Sequence, residues 1–398
     1  MESSDRDINI RTGESVPLWR DVRVLQGMAQ LISAIVVIGL VAFLIFNMFA
    51  AADERGLSLG FGFLDDSAGF AIDGAPIEYD PSMSFGRALL VGLLNTLRVA
   101  LLGVVLATVL GVIVGLARLS SNWLIRNLAG AYVESIRNIP LLVLLFFWFF
   151  AVFQQLPQVE NSIKLGRYLV LNQRGVYVVA FHPTGTFIPW LASLLGGLVL
   201  SIVAWRVLTR YQLRTGRATY PLAVGTAILI LLPILGWLLL PERPLSMEFP
   251  TLGNFNYEGG TSLTTNFSAL LVGLVMYTAS FIAEIVRAGI QSVSRGQLDA
   301  ARSVGLSNLQ ALRLVVFPQA LRVILPPLIS QYLNLTKNSS LAVFIGFKDL
   351  FAVGKTIIDQ AGRAVPVFAL IMLGYLVMSL TYSIVINLYN RRIRFVER

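Results

Sequence analysis

Cysteine is absent from this chain of 398 residues, and histidine occurs once, at His182. The absence of cysteine excludes disulfide bonds, thiolate metal sites and cysteine nucleophiles. A Ser-His-Asp triad would need His182 beside a buried nucleophile, whereas the segment around it, residues 180–185, has the composition of a turn. Few combinations of catalytic side chains remain possible, and we therefore expect that this chain is not an enzyme.

Charged residues are also scarce. They make up 13% of the chain, while hydrophobic residues make up 56%; soluble domains are about 25% charged. The mean hydropathy is +0.73. So few charges cannot cover so much apolar surface in water, and the bilayer must be the solvent for much of the protein. The net charge of +9 is compatible with nucleic-acid binding, but the basic residues cluster between apolar runs, as membrane topology predicts.

Eight apolar segments approach the ~20 residues that a membrane-spanning helix needs. They are residues 27–52, 88–117, 140–155, 187–207, 220–240, 268–287, 320–347 and 365–389. The third is short unless it begins near Val133, and the seventh is interrupted by Pro326 and Pro327 and by the polar run 337–340. The pattern predicts an all-α integral membrane protein with about eight transmembrane helices.

The charges of the loops predict the orientation. With the N-terminus inside, every inside loop is basic, and the long loop after the first span is acidic. The inside arginines are Arg118, Arg126, Arg137, Arg206, Arg210, Arg214, Arg217, Arg295, Arg302, Arg313, Arg322, Arg391, Arg392, Arg394 and Arg398. An outside loop with Lys164, Arg167 and Arg174 fits least well. We therefore expect cytoplasmic N- and C-termini, and residues 1–26 lack the basic start of a signal peptide.

Two patterns concern contacts of the helices. Small residues recur four apart in the second span, at Gly103, Ala107, Gly111 and Gly115. They let another helix approach closely, and that helix belongs either to this chain or to a partner subunit. Ion pairs are expected three residues apart within two helices, between Glu284 and Arg287 and between Glu134 and Arg137.

A polar connection, residues 296–318, lies between the sixth and seventh spans. Its composition favours helix on both sides of Gly305, which permits a tight bend with positive φ. Ala300 and Ala301 present small side chains that allow a protein surface to approach closely. Pro318 is expected to prevent the following helix from extending backwards. The connection therefore predicts two short helices at the inner membrane surface that serve as a docking element.

The same connection carries a resemblance to a known family. Its residues form the pattern Asp299-Ala300-Ala301-x-x-x-Gly305, followed by Val315-x-Phe317-Pro318. This pattern resembles the EAA loop of permease subunits of ATP-binding-cassette importers, which reads Glu-Ala-Ala, three residues, Gly, nine residues, then Ile-x-Leu-Pro. Asp299, Val315 and Phe317 depart from it but keep charge or apolarity.

Further runs are similar to the polar-amino-acid branch of that family. They are residues 95–97, 134–142, 283–293 and 335–341. The resemblance covers roughly residues 88–157 and 266–390. The runs 60–64 and 68–72 resemble the larger permeases of the general L-amino-acid and glutamate/glutamine/aspartate/asparagine importers, which also carry an insertion like residues 158–265.

The resemblance implies the helical bundle of type I (MetI-like) importer permeases. Residues 1–87 would hold a cytoplasmic N-terminus, the first transmembrane helix and a periplasmic loop, and residues 88–157 the first part of the permease core. Residues 158–265 would be an insertion with two extra transmembrane helices. Residues 266–398 would complete the core and contain the coupling loop at 296–318.

The resemblance also implies a function and partners. The chain would be a non-catalytic permease subunit that moves polar L-amino acids from periplasm to cytoplasm across a bacterial inner membrane. Its partners would be a dimer of cytoplasmic ATPases, a second homologous permease in a heterodimer, and a periplasmic amino-acid-binding protein. ATP and magnesium would bind to the ATPases, with no cofactor or metal in this chain. The residues implied at the ATPase contact are Gly296, Asp299, Ala300, Ala301, Gly305 and Pro318.

The polar run in the seventh span is the candidate for the substrate pathway. It consists of Lys337, Asn338, Ser339 and Ser340. The run either lines the pathway or has a structural role, in which Lys337 pairs or snorkels and the serines bond to backbone carbonyls. A broken helix from Pro326 to Ser340 would offer exposed backbone ends to a zwitterionic amino acid.

Two other interpretations receive less support. Gly354, Lys355 and Thr356 resemble the end of a phosphate-binding loop, but Asp349 occupies the position of the first glycine of that motif. Nucleotide binding by this chain is therefore not expected. The alternative function is a stand-alone, ion-coupled secondary transporter, which predicts an inverted internal repeat and several intramembrane carboxylates. No convincing repeat is present in the sequence.

Overall fold

A computed structural model describes residues 22–54 and 59–393 of the chain. The polar segment before residue 22, and Arg394 and Arg398, lie outside the described residues. The α-helices are α1 (Val22–Glu54), α2 (Phe85–Ala117), α3 (Trp123–Arg137), α4 (Leu141–Phe146), α5 (Phe187–Thr215), α6 (Pro221–Leu239), α7 (Thr265–Gln291), α8 (Arg295–Ser303), α9 (Asn308–Ala311), α10 (Phe317–Asn338), α11 (Leu350–Ala361) and α12 (Ala364–Ile393).

Among the described residues, seven helices are long and apolar enough to cross a membrane, and a bent pair makes up to eight. This confirms the predicted number. The bent pair joins α3 to the segment Leu141–Gln155 at an angle of 108°. The third span is therefore short as one straight helix and reaches back past Val133 only through this bend, because α3 ends at Arg137 and Pro140 disfavours helical backbone in the residue before it.

Two predictions about prolines in and just before the seventh span are wrong. α10 runs through Pro326 and Pro327 without a break, and its first irregularity is a 3-10 turn from Ser339 to Ile345. Both prolines are exposed, so their rings meet no packed neighbour, and membrane helices tolerate such residues. Pro318 does not stop the helix either, because the chain is already helical before it, through a π turn from Leu312 to Val316. Pro318 occupies the first turn of α10, where a missing N–H costs least.

α2 and α7 form the centre of the bundle. The stripe of small residues on α2 is buried, and a Cβ atom at Gly111 would lie 2.6 Å from the side chain of Ile282. At Gly115 a Cβ atom would lie 2.8 Å from the carbonyl oxygen of Ala283. The stripe therefore packs within the chain, which decides between the two explanations that the sequence left open.

A second apolar cluster covers the first turns of α2. It joins buried residues of the loop before α2, including Phe63 and Ile72, to residues of α11 and α12, including Val353 and Val367. α11 is therefore part of the packed bundle. α7 starts directly after the last strand and ends just before α8, so the strands and α8 lie at opposite ends of it. We call these the strand end and the α8 end.

The segment between the third span and α7 contains short strands that the sequence did not predict. They are β1 (Ile163–Leu165), β2 (Leu169–Asn172), β3 (Gly175–Val178), β4 (Ala180–Pro183), β5 (Leu245–Glu248), β6 (Thr251–Leu252), β7 (Tyr257–Glu258) and β8 (Thr261–Thr264). One antiparallel sheet has the order β1-β2-β3-β8. The predicted turn at His182 is wrong, since His182 lies in β4 and its Nε2 is 2.8 Å from Oε2 of Glu248 on β5.

Candidate functional site

The polar connection after α7 folds into two short, capped helices, as predicted. α8 ends in a left-handed residue, Gly305, with φ of 84°. The N–H of Gly305 donates to the carbonyl of Arg302 at 2.9 Å, and the N–H of Leu306 donates to that of Ala301 at 3.2 Å. These two bonds form a Schellman motif, which satisfies the last carbonyls of the helix and requires a residue that accepts positive φ.

α9 begins immediately afterwards with a capping box. The backbone N–H of Ser307 donates to Oε1 of Gln310 at 2.9 Å, and the N–H of Gln310 donates to Oγ of Ser307 at 3.4 Å. α9 then continues through the π turn into α10. The side chain of Gln319 donates to that of Gln297 at 3.3 Å, which ties α10 back to α8. The connection is thus held to the spanning helices at both of its ends.

The six residues implied at a partner contact do not share one environment. Ala301 is only 4% exposed and faces the interior of the chain, so its small side chain serves internal packing. Five are exposed: Gly296, Asp299, Ala300, Gly305 and Pro318. Nothing lies within 4 Å of the Cβ position of Gly296 or Gly305.

The tip of the connection also exposes apolar residues that the sequence analysis did not single out. Val304 is 77% exposed and Leu309 is 74% exposed. A groove of about 290 Å³ lies in the same connection, lined by residues that include Leu298, Leu312 and Val316. Exposed apolar side chains together with a groove are compatible with a protein contact. In the sequence, these two residues could have been recognised because they lie on the two sides of the predicted bend at Gly305.

A cluster of ion pairs joins α2 to α7 near the α8 end. Glu284 accepts hydrogen bonds from both Arg118 and Arg287, which confirms the predicted pair with Arg287 and adds Arg118. The predicted pair between Glu134 and Arg137 is wrong. Glu134 lies 4.0 Å from Arg118, and the guanidinium of Arg137 lies over the ring of Phe281 at 5.0 Å. The bend after α3 turns Arg137 towards α7.

The polar run at the end of α10 has mixed surroundings. Oγ of Ser339 donates to the carbonyl of Thr336 at 2.9 Å, and Oγ of Ser340 donates to that of Lys337 at 2.8 Å. These bonds support the structural alternative for the serines. Lys337 is exposed and borders a largely apolar cavity of about 790 Å³ between α10 and α12. Ser340 borders the same cavity, so a pathway role of this run stays a prediction that Lys337 and Ser340 carry.

A buried polar cluster next to this run was missed. Oγ1 of Thr96 on α2 accepts from the N–H of Leu350 at 3.0 Å, and the hydroxyl of Tyr375 donates to Asp349 at 3.1 Å. Asp349 also caps α11 by accepting from the N–H of Ala352. Burial raises the pKa of the Asp349 carboxyl to about 7. The cluster locks α2, α11 and α12 together.

The residues that resemble a phosphate-binding loop lie inside a helix. Lys355 forms an ion pair with Asp359 one turn later in α11, with Nζ and Oδ2 2.6 Å apart. Gly354 is buried against Ile371 of α12. A phosphate-binding loop needs free backbone N–H groups around the glycines, and those of this helix interior are bonded within α11.

A family model described as "Binding-protein-dependent transport system inner membrane component" matches residues 107–395. The putative amino-acid ABC transporter permease protein YhdX of Escherichia coli (strain K12) is 45% identical over 93% of this chain and 94% of its own length. The general L-amino acid transport system permease protein AapQ of Rhizobium johnstonii is 42% identical over 93% and 92%. The glutamate/glutamine/aspartate/asparagine transport system permease protein BztB of Rhodobacter capsulatus is 36% identical over 93% of both chains.

Among solved structures, the crystal structure of an amino acid ABC transporter with histidines aligns with a TM-score of 0.46 and 23% identity. The alignment covers 77% of this chain and 95% of that one.

Proposed function

This chain belongs to the family of binding-protein-dependent transport system inner membrane components, and we propose that it is one permease subunit of an ATP-binding-cassette importer for polar L-amino acids. The observation that carries the proposal is similarity over nearly the whole chain to permeases named for L-amino acids and for glutamate, glutamine, aspartate and asparagine. The multi-pass helical bundle and an inner-membrane location agree with that similarity.

We propose that residues 296–318 receive the ATPase partner. Five of the six implied contact residues are exposed there, and Val304 and Leu309 add an apolar tip. ATP and magnesium belong to that partner. The permease core would comprise residues 88–157 and 266–398, with residues 158–265 as an insertion that carries α5, α6 and all eight strands of the described residues.

The connections of α8 and α9 suggest how force reaches the pathway. Only residues 292–294 separate α8 from α7, and α9 is continuous with α10. α7 and α10 both pack on α2, so a displacement of the short helices moves two helices of the bundle against a third. Glu284 on α7 accepts a hydrogen bond from Arg118, directly after α2, and this contact links the two helices near the α8 end. Closure of the ATPases would therefore rock the bundle between inward-facing and outward-facing states.

The orientation follows from the charges of the two ends. Exposed arginines gather at the α8 end and at the far end of α5, among them Arg206, Arg210 and Arg214. At the strand end, two basic residues lie over aromatic rings, with Arg167 at 4.3 Å from the centroid of Phe249. We propose that the α8 end is cytoplasmic, with both termini on that side, and that the strands face the periplasm and the binding protein.

Reconstitution tests the function directly. The chain is co-expressed with its expected ATPase and second permease, and the purified complex is placed in liposomes with the binding protein. We expect uptake of labelled L-glutamine only with ATP inside and loaded binding protein outside. The controls are an ATPase variant that binds ATP without hydrolysing it, and an ion gradient without ATP. Uptake by this chain alone on an ion gradient would establish the secondary transporter instead.

The absence of cysteine makes the orientation easy to test. Single substitutions Val304→Cys at the α8 end and Asn254→Cys at the strand end are each the sole thiol of this chain. A membrane-impermeant maleimide added to spheroplasts is expected to label Asn254→Cys and to reach Val304→Cys only after lysis. The opposite labelling pattern contradicts the proposed coupling surface.

A further inference from the structure

A single arginine, Arg98, lies near the middle of the longest buried helix. α2 has 33 residues from Phe85 to Ala117, so its middle is Leu101, and Arg98 lies three residues from it. At ~1.5 Å per residue this separation is about 5 Å along the helix axis. Its contact with Phe267, in the first turn of α7, places it towards the strand end of the bundle. A charged side chain in an apolar spanning helix is retained where it faces a cavity, a partner or a substrate.

The guanidinium of Arg98 lacks a carboxylate. It lies over the ring of Phe267 on α7, 4.8 Å from the centroid. Among the described residues it makes no ion pair within 4 Å and no hydrogen bond. The arginines at the α8 end of the bundle differ, because Arg118 and Arg287 both bind Glu284. All five N–H donors of Arg98 therefore remain available.

The face of α2 that carries Arg98 is otherwise apolar and open. Leu101, Leu102 and Val105 follow at the spacing of one helix face, and they are 56%, 42% and 60% exposed. Arg98 itself is partly exposed. The rest of this chain leaves that face exposed. In the proposed importer the second permease subunit would cover it, with the substrate pathway between the two.

Phe267 also connects Arg98 to a polar cavity at the strand end. Its ring is 5.7 Å from that of Phe347, and the two residues are 3% and 4% exposed. Phe347 lines a cavity of about 480 Å³ whose other walls include the charged residues Asp73, Arg174 and Lys348. One layer of two aromatic rings thus separates a polar entrance of mixed charge from the arginine.

Building on the proposed function, we infer that Arg98 binds the α-carboxylate of the transported amino acid at the level of the first turn of α7, next to the cavity at the strand end. A guanidinium presents paired donors that match the two oxygens of a carboxylate. Every L-amino acid carries that carboxylate, so this contact recognises the class of substrate and leaves discrimination among side chains to other groups. The tilted, contacting rings of Phe267 and Phe347 would have to part for the substrate to reach it.

The test measures binding to the reconstituted permease–ATPase complex without the binding protein. The probes are labelled L-glutamine and its α-amide, which differ only at the carboxylate. For the wild type we expect L-glutamine to bind about tenfold to a hundredfold more tightly than the amide, the range for hydrogen bonds to a charged group. In Arg98→Gln the two probes should bind with equal, weak affinity, and Arg98→Lys should restore part of the difference.

Arg87→Gln is the matched control. Arg87 lies on the same face of α2, eleven residues earlier, where it donates to the carbonyl of Glu78 in the loop before the helix. This variant should bind both probes as the wild type does. Stimulation of ATPase activity by loaded binding protein, measured on every variant, reports separately on whether the importer is assembled and coupled.

Three outcomes overturn the inference. In the first, Arg98→Gln weakens both probes equally or neither of them, while the wild type imports with ATP. In the second, the wild-type complex imports but does not distinguish the probes. In the third, Arg98→Gln separates the two permease subunits, which would mean that a carboxylate of the partner neutralises Arg98. A wild type that fails to import with ATP instead refutes the proposed function.

Discussion

The contact between α2 and α7 and the connection formed by α8 and α9 use glycine in opposite ways. In the first, Gly111 and Gly115 are buried, and a Cβ atom at either would come closer than 3 Å to α7. In the second, Gly296 and Gly305 are exposed, and a Cβ atom would meet nothing within 4 Å. The glycines between α2 and α7 are required because no space is left there for a side chain. Gly305 is required for its backbone angle, and the space around it is open, as the proposed partner contact requires.

The difference separates a closely packed part of the molecule from an exposed part, which we propose is the partner contact. Packed helices transmit a displacement because their interiors are nearly incompressible. The short helices carry exposed apolar side chains, which the proposed docking would bury. Substitutions in the first region should act on stability, and those in the second should act on coupling.

The largest effect is expected for Gly111→Leu. The new side chain would enter the space of Ile282 and of the Ala279 carbonyl, which lie 2.6 Å and 3.0 Å from the Cβ position. Overpacking of this kind costs about 1–3 kcal/mol or more, and backbone cannot move aside as a side chain does. We expect little folded protein by size-exclusion chromatography in detergent. Gly130→Leu on α3, where nothing lies within 4 Å, is the control and should keep a normal yield.

The next effect in size is expected for Gly305→Val. A β-branched residue with φ of 84° is strained by about 1–2 kcal/mol, which lowers the population of the docking conformation by about tenfold. The bundle should stay folded, with a melting temperature close to that of the wild type. Uptake for each ATP hydrolysed in proteoliposomes should fall. Gly305→Asn, which tolerates left-handed backbone, is the control, and unchanged uptake in Gly305→Val would falsify the coupling role.

In both regions the sequence predicted local features better than contacts between distant residues, for physical reasons. The number of spans and the bend at Gly305 depend on short stretches of chain, and both were confirmed. The partner of Glu284 was only half predicted, since Arg287 is three residues away but Arg118 is 166 residues distant. Pairing of β3 with β8 likewise joins Tyr177 to Ser262 across the whole α5–α6 hairpin. Such contacts exist only once the chain is folded.

Other misses were of a different kind. The unbroken helix at Pro326 shows that a membrane helix can absorb a proline whose ring points away from its neighbours. Arg98 was visible as a lone charge in an apolar run, but only its position over Phe267, without a carboxylate, gave it a role. The structure is of one chain, so it shows no distance between the proposed contact residues and a partner. Their function stays a prediction.

An effect comparable in free energy to that of Gly305→Val is expected at the boundary between the two regions. Glu284→Gln would leave Arg118 and Arg287 facing each other without a carboxylate, at a site where each side chain is less than a third exposed. Loss of one charged partner of a hydrogen bond costs about 1.5–3 kcal/mol. We expect a lower melting temperature and slower uptake together. Glu134→Gln is matched to it, because Glu134 is 76% exposed and 4.0 Å from Arg118, where a pair contributes about 0–1 kcal/mol.

The smallest effects are expected when glycine is replaced by alanine once in each region. These two substitutions compare the regions most directly. Gly115→Ala would place a methyl group 2.8 Å from the Ala283 carbonyl oxygen and 2.9 Å from Cβ of Val286, so the free energy of unfolding should fall. Gly296→Ala lies inside the exposed helix α8, where alanine is favoured over glycine by about 0.5–1 kcal/mol. Its melting temperature should stay level or rise slightly, measured with the same thermal-shift assay on the purified complex. Equal destabilisation by the two changes would mean that α8 is packed as tightly as α2, and that its exposed surface is not reserved for a partner.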